Sequence, residues 1–136
     1  MIHVILIAHG DFAQSLVDSA QLIVGEQERI YTYSLDLGDS VDQLKEDVAA
    51  ELECLSGDAE ILMLTDLFSG SPFNVAVSLT QHYSFQHITG VNLPLLLAVM
   101  TLRETTDNVD ELSDAVMSEA KGSIINVNDF LKEADE

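Results

Sequence analysis

The sequence predicts an α/β domain built on an open, mainly parallel four-stranded sheet with helices on both faces. Short apolar runs rich in branched residues alternate along the chain with segments whose apolar residues recur at helical spacing. The first run, residues 2–8, is almost continuously apolar, which is typical of a strand covered on both sides. The chain has 136 residues, so we expect a single domain over 1–136.

The first strand–helix unit joins the strand 2–8 to a helix over 11–24 through a short turn. Asp11 and Gln14, three residues apart at the start of that helix, have the spacing of a cap pair. The second strand, 31–36, precedes a helix that Ser40 is expected to cap.

The third strand covers 60–65, and Ser71-Pro72 supplies an N-cap and a first-turn proline for the helix after it. The fourth strand covers 87–91, with Asn92 as the cap of the next helix. An acidic helix over 109–121 comes next. The segment "SIINVND" then predicts one more short strand at the edge of the sheet, so residues 125–136 combine strand and polar tail.

Composition excludes several classes of function. The chain carries 24 acidic and 5 basic residues, a formal charge of -19, which repels the phosphate backbone of nucleic acids. Solubility explains this acidic excess better than attraction of a basic protein partner does. No apolar run approaches the roughly 20 residues of a membrane-spanning helix, and the first segment lacks the basic start of a secretory signal. We therefore expect a cytoplasmic protein that is not inserted in a membrane.

Ligands of open α/β sheets bind at the carboxyl ends of the strands, where His9 and Asp66 fall. A carboxylate bound to one ring nitrogen of a histidine fixes the tautomer and leaves the other nitrogen as a nucleophile. Gly10 and Gly70 precede helix N-termini that suit an anion, and Ser71 adds a hydroxyl donor. These residues predict phosphoryl transfer through a phosphohistidine.

Each of these residues also has a plain structural explanation as a strand end, a turn or a cap, and only their convergence favours a site. No HxH or HExxH spacing occurs, so neither a metal nor another cofactor is expected. His3 is expected to pack near the sheet, whereas His82 and His87 are expected to face solvent. The single cysteine, Cys54, is expected to be buried beside the apolar stripe of its helix.

The segments "VILIAHGDFA", "GEQE", "LTDLFSGSPFN" and "GVNLPLLL" occur in this order. Together they resemble the mannose/fructose-type EIIA domain of the bacterial phosphoenolpyruvate-dependent sugar phosphotransferase system. The resemblance implies that His9 accepts a phosphoryl group from the phosphocarrier HPr and passes it to an EIIB domain. It implies that Asp66 orients His9, and that the "SIINVND" strand is exchanged between the protomers of a homodimer.

The chain ends soon after Gly122, so we expect EIIB to be a separate polypeptide. An alternative is a regulatory protein in which phosphorylation of His9 signals to a target without feeding transport. The charge of Asp11 would oppose an incoming phosphate unless this side chain points away to cap its helix, and the sequence leaves the role of Asp11 open.

Overall fold

A computed structural model of the chain describes residues 1–55 and 57–135. Its sheet has four parallel strands in the order β2-β1-β3-β4. The predicted class, an α/β fold with a four-stranded parallel sheet, is therefore confirmed. The strands are β1 (His3–His9), β2 (Ile30–Leu35), β3 (Ile61–Thr65) and β4 (Gln86–Thr89).

Helices cover both faces of the sheet because successive side chains of a strand point to opposite sides. Val4 and Leu6 of β1 pack into one core cluster with α1, α4 and α5, and Ile5 and Ile7 pack into a second with α2 and α3. The helices are α1 (Phe12–Val24), α2 (Val41–Cys54), α3 (Gly70–Leu79), α4 (Leu93–Leu102), α5 (Val109–Ala120) and α6 (Val127–Ala134). None of the helices within 1–55 and 57–135 is long and apolar enough to cross a membrane.

Two of the predicted helix caps are present. The Ser40 hydroxyl accepts a hydrogen bond from the backbone N–H of Gln43 at 3.1 Å, at the start of α2. The Asn92 side chain accepts one from the backbone N–H of Leu95 at 2.9 Å, at the start of α4. These contacts satisfy N–H groups that the first turn of a helix leaves without a partner.

Two other predicted caps are wrong. Asp11 lies at the N-cap position of α1 but makes no capping hydrogen bond, and the Gln14 side chain instead accepts from the Thr32 hydroxyl at 2.7 Å. Helix α3 already begins at Gly70 with Ser69 at its N-cap position, so Ser71 and the proline after it lie inside the first turn. Gly70 adopts a φ of +86°, which a glycine tolerates where the loop after β3 turns into α3.

The predicted edge strand is also wrong for the single chain. Residues 123–126 form no strand, and Val127–Ala134 is a helix whose cap, Asn126, accepts from the backbone N–H of Asp129 at 3.3 Å. The local cap outweighs the strand propensity of the preceding isoleucines because no neighbouring strand pairs with this segment. Several large apolar side chains here are left exposed: Ile124, Ile125, Val127, Phe130 and Leu131.

A buried arginine holds the amino end of the sheet. Arg103 is only 2% exposed, and its guanidinium donates to the carbonyl oxygens of Ile2 at 3.1 Å and Glu28 at 2.6 Å. It also donates to the side-chain oxygen of Gln27 at 2.9 Å. These contacts connect the end of α4 with the start of β1 and the loop before β2.

Candidate active site

The strand order places the ends of β1 and β3 side by side. The chain leaves β1 for β2 on one side and later enters β3 on the other, so the connections diverge at the carboxyl ends of β1 and β3. Such a point leaves a crevice in which α/β proteins bind ligands. His9 is the last residue of β1, and Asp66 follows the last residue of β3. The structure thus brings these two residues together.

The Asp66 carboxylate holds His9 at two points. Its Oδ2 lies 2.7 Å from Nδ1 of the imidazole and accepts a second hydrogen bond, of 2.9 Å, from the backbone N–H of the same histidine. Its Oδ1 accepts from the backbone N–H of Leu67 at 3.0 Å. Both carboxylate oxygens are therefore engaged, and the ring orientation is fixed against the end of β3.

Burial raises the pKa of Asp66, but the hydrogen bonds from the backbone and ring of His9 outweigh it, and the net pKa lies below its ordinary value. The carboxylate is therefore ionised at neutral pH and can only accept hydrogen bonds. Consequently, whenever the His9 ring holds a single proton, that proton is on Nδ1 and Nε2 has a free lone pair. The His9 side chain is 50% exposed, against 12% for Asp66, so a partner can reach the ring.

Gly70 lies directly against the exposed part of the ring. A Cβ added to Gly70 would be 3.4 Å from Cε1 and 3.6 Å from Nε2 of His9. The Ser69 side chain does not cap α3, so it leaves the first-turn N–H groups beside the imidazole without a side-chain partner. Ser71 follows in the same turn. A helix N-terminus of this kind favours negative charge.

Gly10 contributes differently from what the sequence predicted. Its backbone N–H donates to the carbonyl oxygen of Leu35 at 3.0 Å, so this N–H is not available to a phosphate. Its φ of +57° instead turns the chain from β1 into α1. With the loop 35–39, His9 and Gly10 line a pocket of about 470 Å³. Leu37 in this loop is fully exposed.

Two of the other three histidines lie where the sequence predicted, and one does not. His3 is half-buried, with Nδ1 3.0 Å from the Tyr31 hydroxyl, as expected for packing near the sheet. His82 is exposed, as predicted. The expectation for His87 is wrong: it is half-buried, its Nε2 lies 2.8 Å from the Thr65 hydroxyl, and burial lowers its pKa.

Cys54 is exposed rather than buried, because it ends α2 beyond the stripe that faces the sheet. Among the residues that the structure describes, no three His, Cys, Asp or Glu side chains are grouped as a metal ion would require.

A family model described as PTS system fructose IIA component matches residues 3–117. The chain belongs to this EIIA family. It is 36% identical over 105 residues to the PTS system fructose-specific EIIA component of Bacillus subtilis strain 168, covering 76% of this chain and 72% of that protein. It is 32% identical over 114 residues to the mannose-specific EIIAB component of Escherichia coli K12, covering 82% of this chain but 35% of that protein.

Solved structures of EIIA proteins have the same fold. The phosphotransferase system component EIIA from Streptococcus agalactiae superposes with a TM-score of 0.86 at 31% identity, over 94% of this chain and 98% of that one. The mannose/sorbose-specific IIA subunit from Enterococcus faecalis gives 0.84 at 27% identity, over 92% and 93%. This EIIA chain is thus a component of a sugar phosphotransferase system with a transferase role.

Proposed function

We propose that this EIIA protein is a cytoplasmic phosphoryl carrier. In this proposal Nε2 of His9 accepts a phosphoryl group from HPr and passes it to a separate EIIB protein for sugar uptake. The observation that carries the proposal is the 2.7 Å contact between Nδ1 of His9 and Asp66, which leaves Nε2 as the free nucleophile. Half of the His9 side-chain surface is exposed, as transfer between two proteins requires.

The proposed step needs no proton acceptor. The Nε2 lone pair forms a bond to phosphorus while the bond from phosphorus to its carrier group on HPr breaks, and that group keeps the electron pair. The His9 ring then carries positive charge with the proton still on Nδ1, and the adjacent Asp66 carboxylate stabilises that charge. Transfer to EIIB reverses these changes at His9. The accepting group of EIIB forms a bond to phosphorus while the bond from phosphorus to Nε2 breaks, and Nε2 recovers its electron pair.

The phosphate support is proposed to come mainly from the first turn of α3. Gly70 approaches the ring closely enough that Nε2 faces this turn, and Ser71 adds its hydroxyl. The negative charge on the phosphoryl oxygens is then stabilised by first-turn N–H groups of α3, to which the Ser69 side chain makes no hydrogen bond. Gly10 supports the phosphate only by shaping the turn, because its N–H is bonded to Leu35.

A homodimer is part of the proposal. What supports it is the exposed apolar set around α6, Ile124 to Leu131, which a single chain leaves in contact with water. Light scattering at micromolar concentration should give twice the chain mass of 14.9 kDa. A mass of one chain would remove the dimer from the proposal without affecting the role of His9.

The transfer is tested with labelled phosphoenolpyruvate, Enzyme I and HPr. The wild-type protein should take up label that is acid-labile and alkali-stable, as a phosphohistidine is, and His9→Ala should take up none. Asp66→Ala should fold and take up label more slowly, because Nδ1 loses its acceptor. Uptake by His9→Ala at the wild-type level would show that His9 is not the acceptor. Adding EIIB should drain the label, and retention of the label would favour the regulatory alternative.

A further inference from the structure

A buried polar cluster lies behind the site, on the side of the sheet that faces α3. Thr65, the last residue of β3, pairs with Thr89 of β4, and its side chain is fully buried. The Thr65 hydroxyl donates to the Thr89 hydroxyl at 2.8 Å. Because that bond uses its only proton, Thr65 must accept the 2.8 Å hydrogen bond from Nε2 of His87. His87 is therefore the donor that holds Thr65.

His87 also contacts α3. Its ring centroid lies 5.5 Å from that of Phe73, which in turn lies 5.0 Å from Phe68. Phe73 follows Gly70 by three residues, so the two are neighbours on one side of α3. One side chain therefore contacts both the strand end that leads to Asp66 and the helical turn that carries Gly70.

We propose that His87 is a positioning residue for the phosphoryl transfer of His9. Through Thr65 it fixes the end of β3 from which Asp66 projects, and through Phe73 it fixes the first turn of α3 against the imidazole. The proposal rests on the proposed function of His9. A histidine is suited to this position because a neutral ring offers one N–H donor together with a flat face for aromatic packing. An aliphatic side chain would fill the space but leave the Thr65 oxygen without its donor.

The test compares His87→Leu, which removes the donor, with His87→Gln, which keeps an N–H donor at similar reach. Phosphoryl uptake from HPr should be about tenfold slower in His87→Leu, as expected for a small misplacement of reacting groups, and within about twofold of wild type in His87→Gln. The matched control is Gln86→Ala, which removes a β4 hydrogen bond of 2.7 Å to Asp110, away from the site. That control should transfer at the wild-type rate.

A second measurement separates positioning from stability. The Nδ1–H proton signal of His9 in the unphosphorylated protein reports its hydrogen bond to Asp66. This signal should broaden or disappear in His87→Leu and persist in His87→Gln. Wild-type uptake and an unchanged Nδ1–H signal in His87→Leu would overturn the proposal. An equal loss of uptake and signal in His87→Leu and His87→Gln would also overturn it. If His87→Leu does not fold, Thr65→Val against Thr65→Ser makes the same comparison from the other partner.

The two proposals fail in different ways. If the wild-type protein takes up no label from HPr, the proposed function is wrong, and the Nδ1–H signal still decides whether His87 orients the His9–Asp66 pair. If the wild type is labelled but His87→Leu behaves like it in both measurements, only the role of His87 is wrong.

Discussion

Replacing Gly70 by alanine places a methyl group where the proposed phosphoryl group must sit. The new Cβ would lie 3.4 Å from Cε1 and 3.6 Å from Nε2 of His9, in van der Waals contact with the nucleophile. The φ of +86° costs an L-residue about 1–2 kcal/mol, and the lower entropy of the unfolded chain returns about 0.4–1 kcal/mol. We therefore expect a net loss of about 1 kcal/mol, which lowers Tm by roughly 3–5 °C.

The loss of transfer should be much larger than the loss of stability. With the methyl group beside Nε2, phosphoryl uptake from HPr should fall by about tenfold to a hundredfold. The matched control is Gly25→Ala, at the far end of α1, where φ is +90° and no atom lies within 4 Å of the added Cβ. It should be destabilised in the same way but transfer normally. Wild-type uptake by a folded Gly70→Ala would refute the placement of the phosphoryl group against α3.

Three further predictions concern stability. Arg103→Leu should lower the free energy of unfolding by about 2–4 kcal/mol in a urea titration, because the buried carbonyl oxygen of Ile2 and the part-buried one of Glu28 lose their donor. A change below about 0.5 kcal/mol would contradict this. Burial holds the pKa of His87 below 6.5, so the unfolded state binds more protons and stability falls as pH drops through this value. Between about pH 7 and about pH 5 the free energy of unfolding should therefore fall less in His87→Gln than in the wild type. Parallel curves of stability against pH for the two proteins would be evidence against this. A net charge of -19 destabilises the folded chain through repulsion between its carboxylates, and salt screens that repulsion. Raising KCl from about 0.1 M to about 1 M should therefore raise the midpoint of urea unfolding. An unchanged midpoint would show that the repulsion is unimportant.

The parts of the site that follow general rules could be predicted from the sequence. His9 and Asp66 each end an apolar run, and carboxyl ends of parallel strands lie at one edge, so their meeting needed no knowledge of side-chain contacts. The caps at Ser40 and Asn92 depend only on residues within one turn and were correct for the same reason.

Other features depend on contacts between distant parts of the chain. The contact of His87 with Thr65 depends on the register of β3 and β4, which no local pattern specifies. Arg103 binds carbonyl oxygens 75 and 101 residues away. The segment after Gly122 has strand-like isoleucines, but the fate of such a segment depends on whether an unpaired strand edge is available to it.

The shared oxygen of Asp66 has a consequence for the proposed carrier role, in which His9 both receives and releases a phosphoryl group. Because Oδ2 accepts from both the backbone and the ring of His9, the two hydrogen bonds close a small cycle that leaves the imidazole little rotational freedom. Most of the entropy of aligning the nucleophile is thus lost once, during folding, instead of at each encounter. In the proposed relay the ring presents the same geometry to donor and acceptor, so the direction of flow is set by the phosphoryl-transfer free energies and concentrations of the two partners and not by this chain.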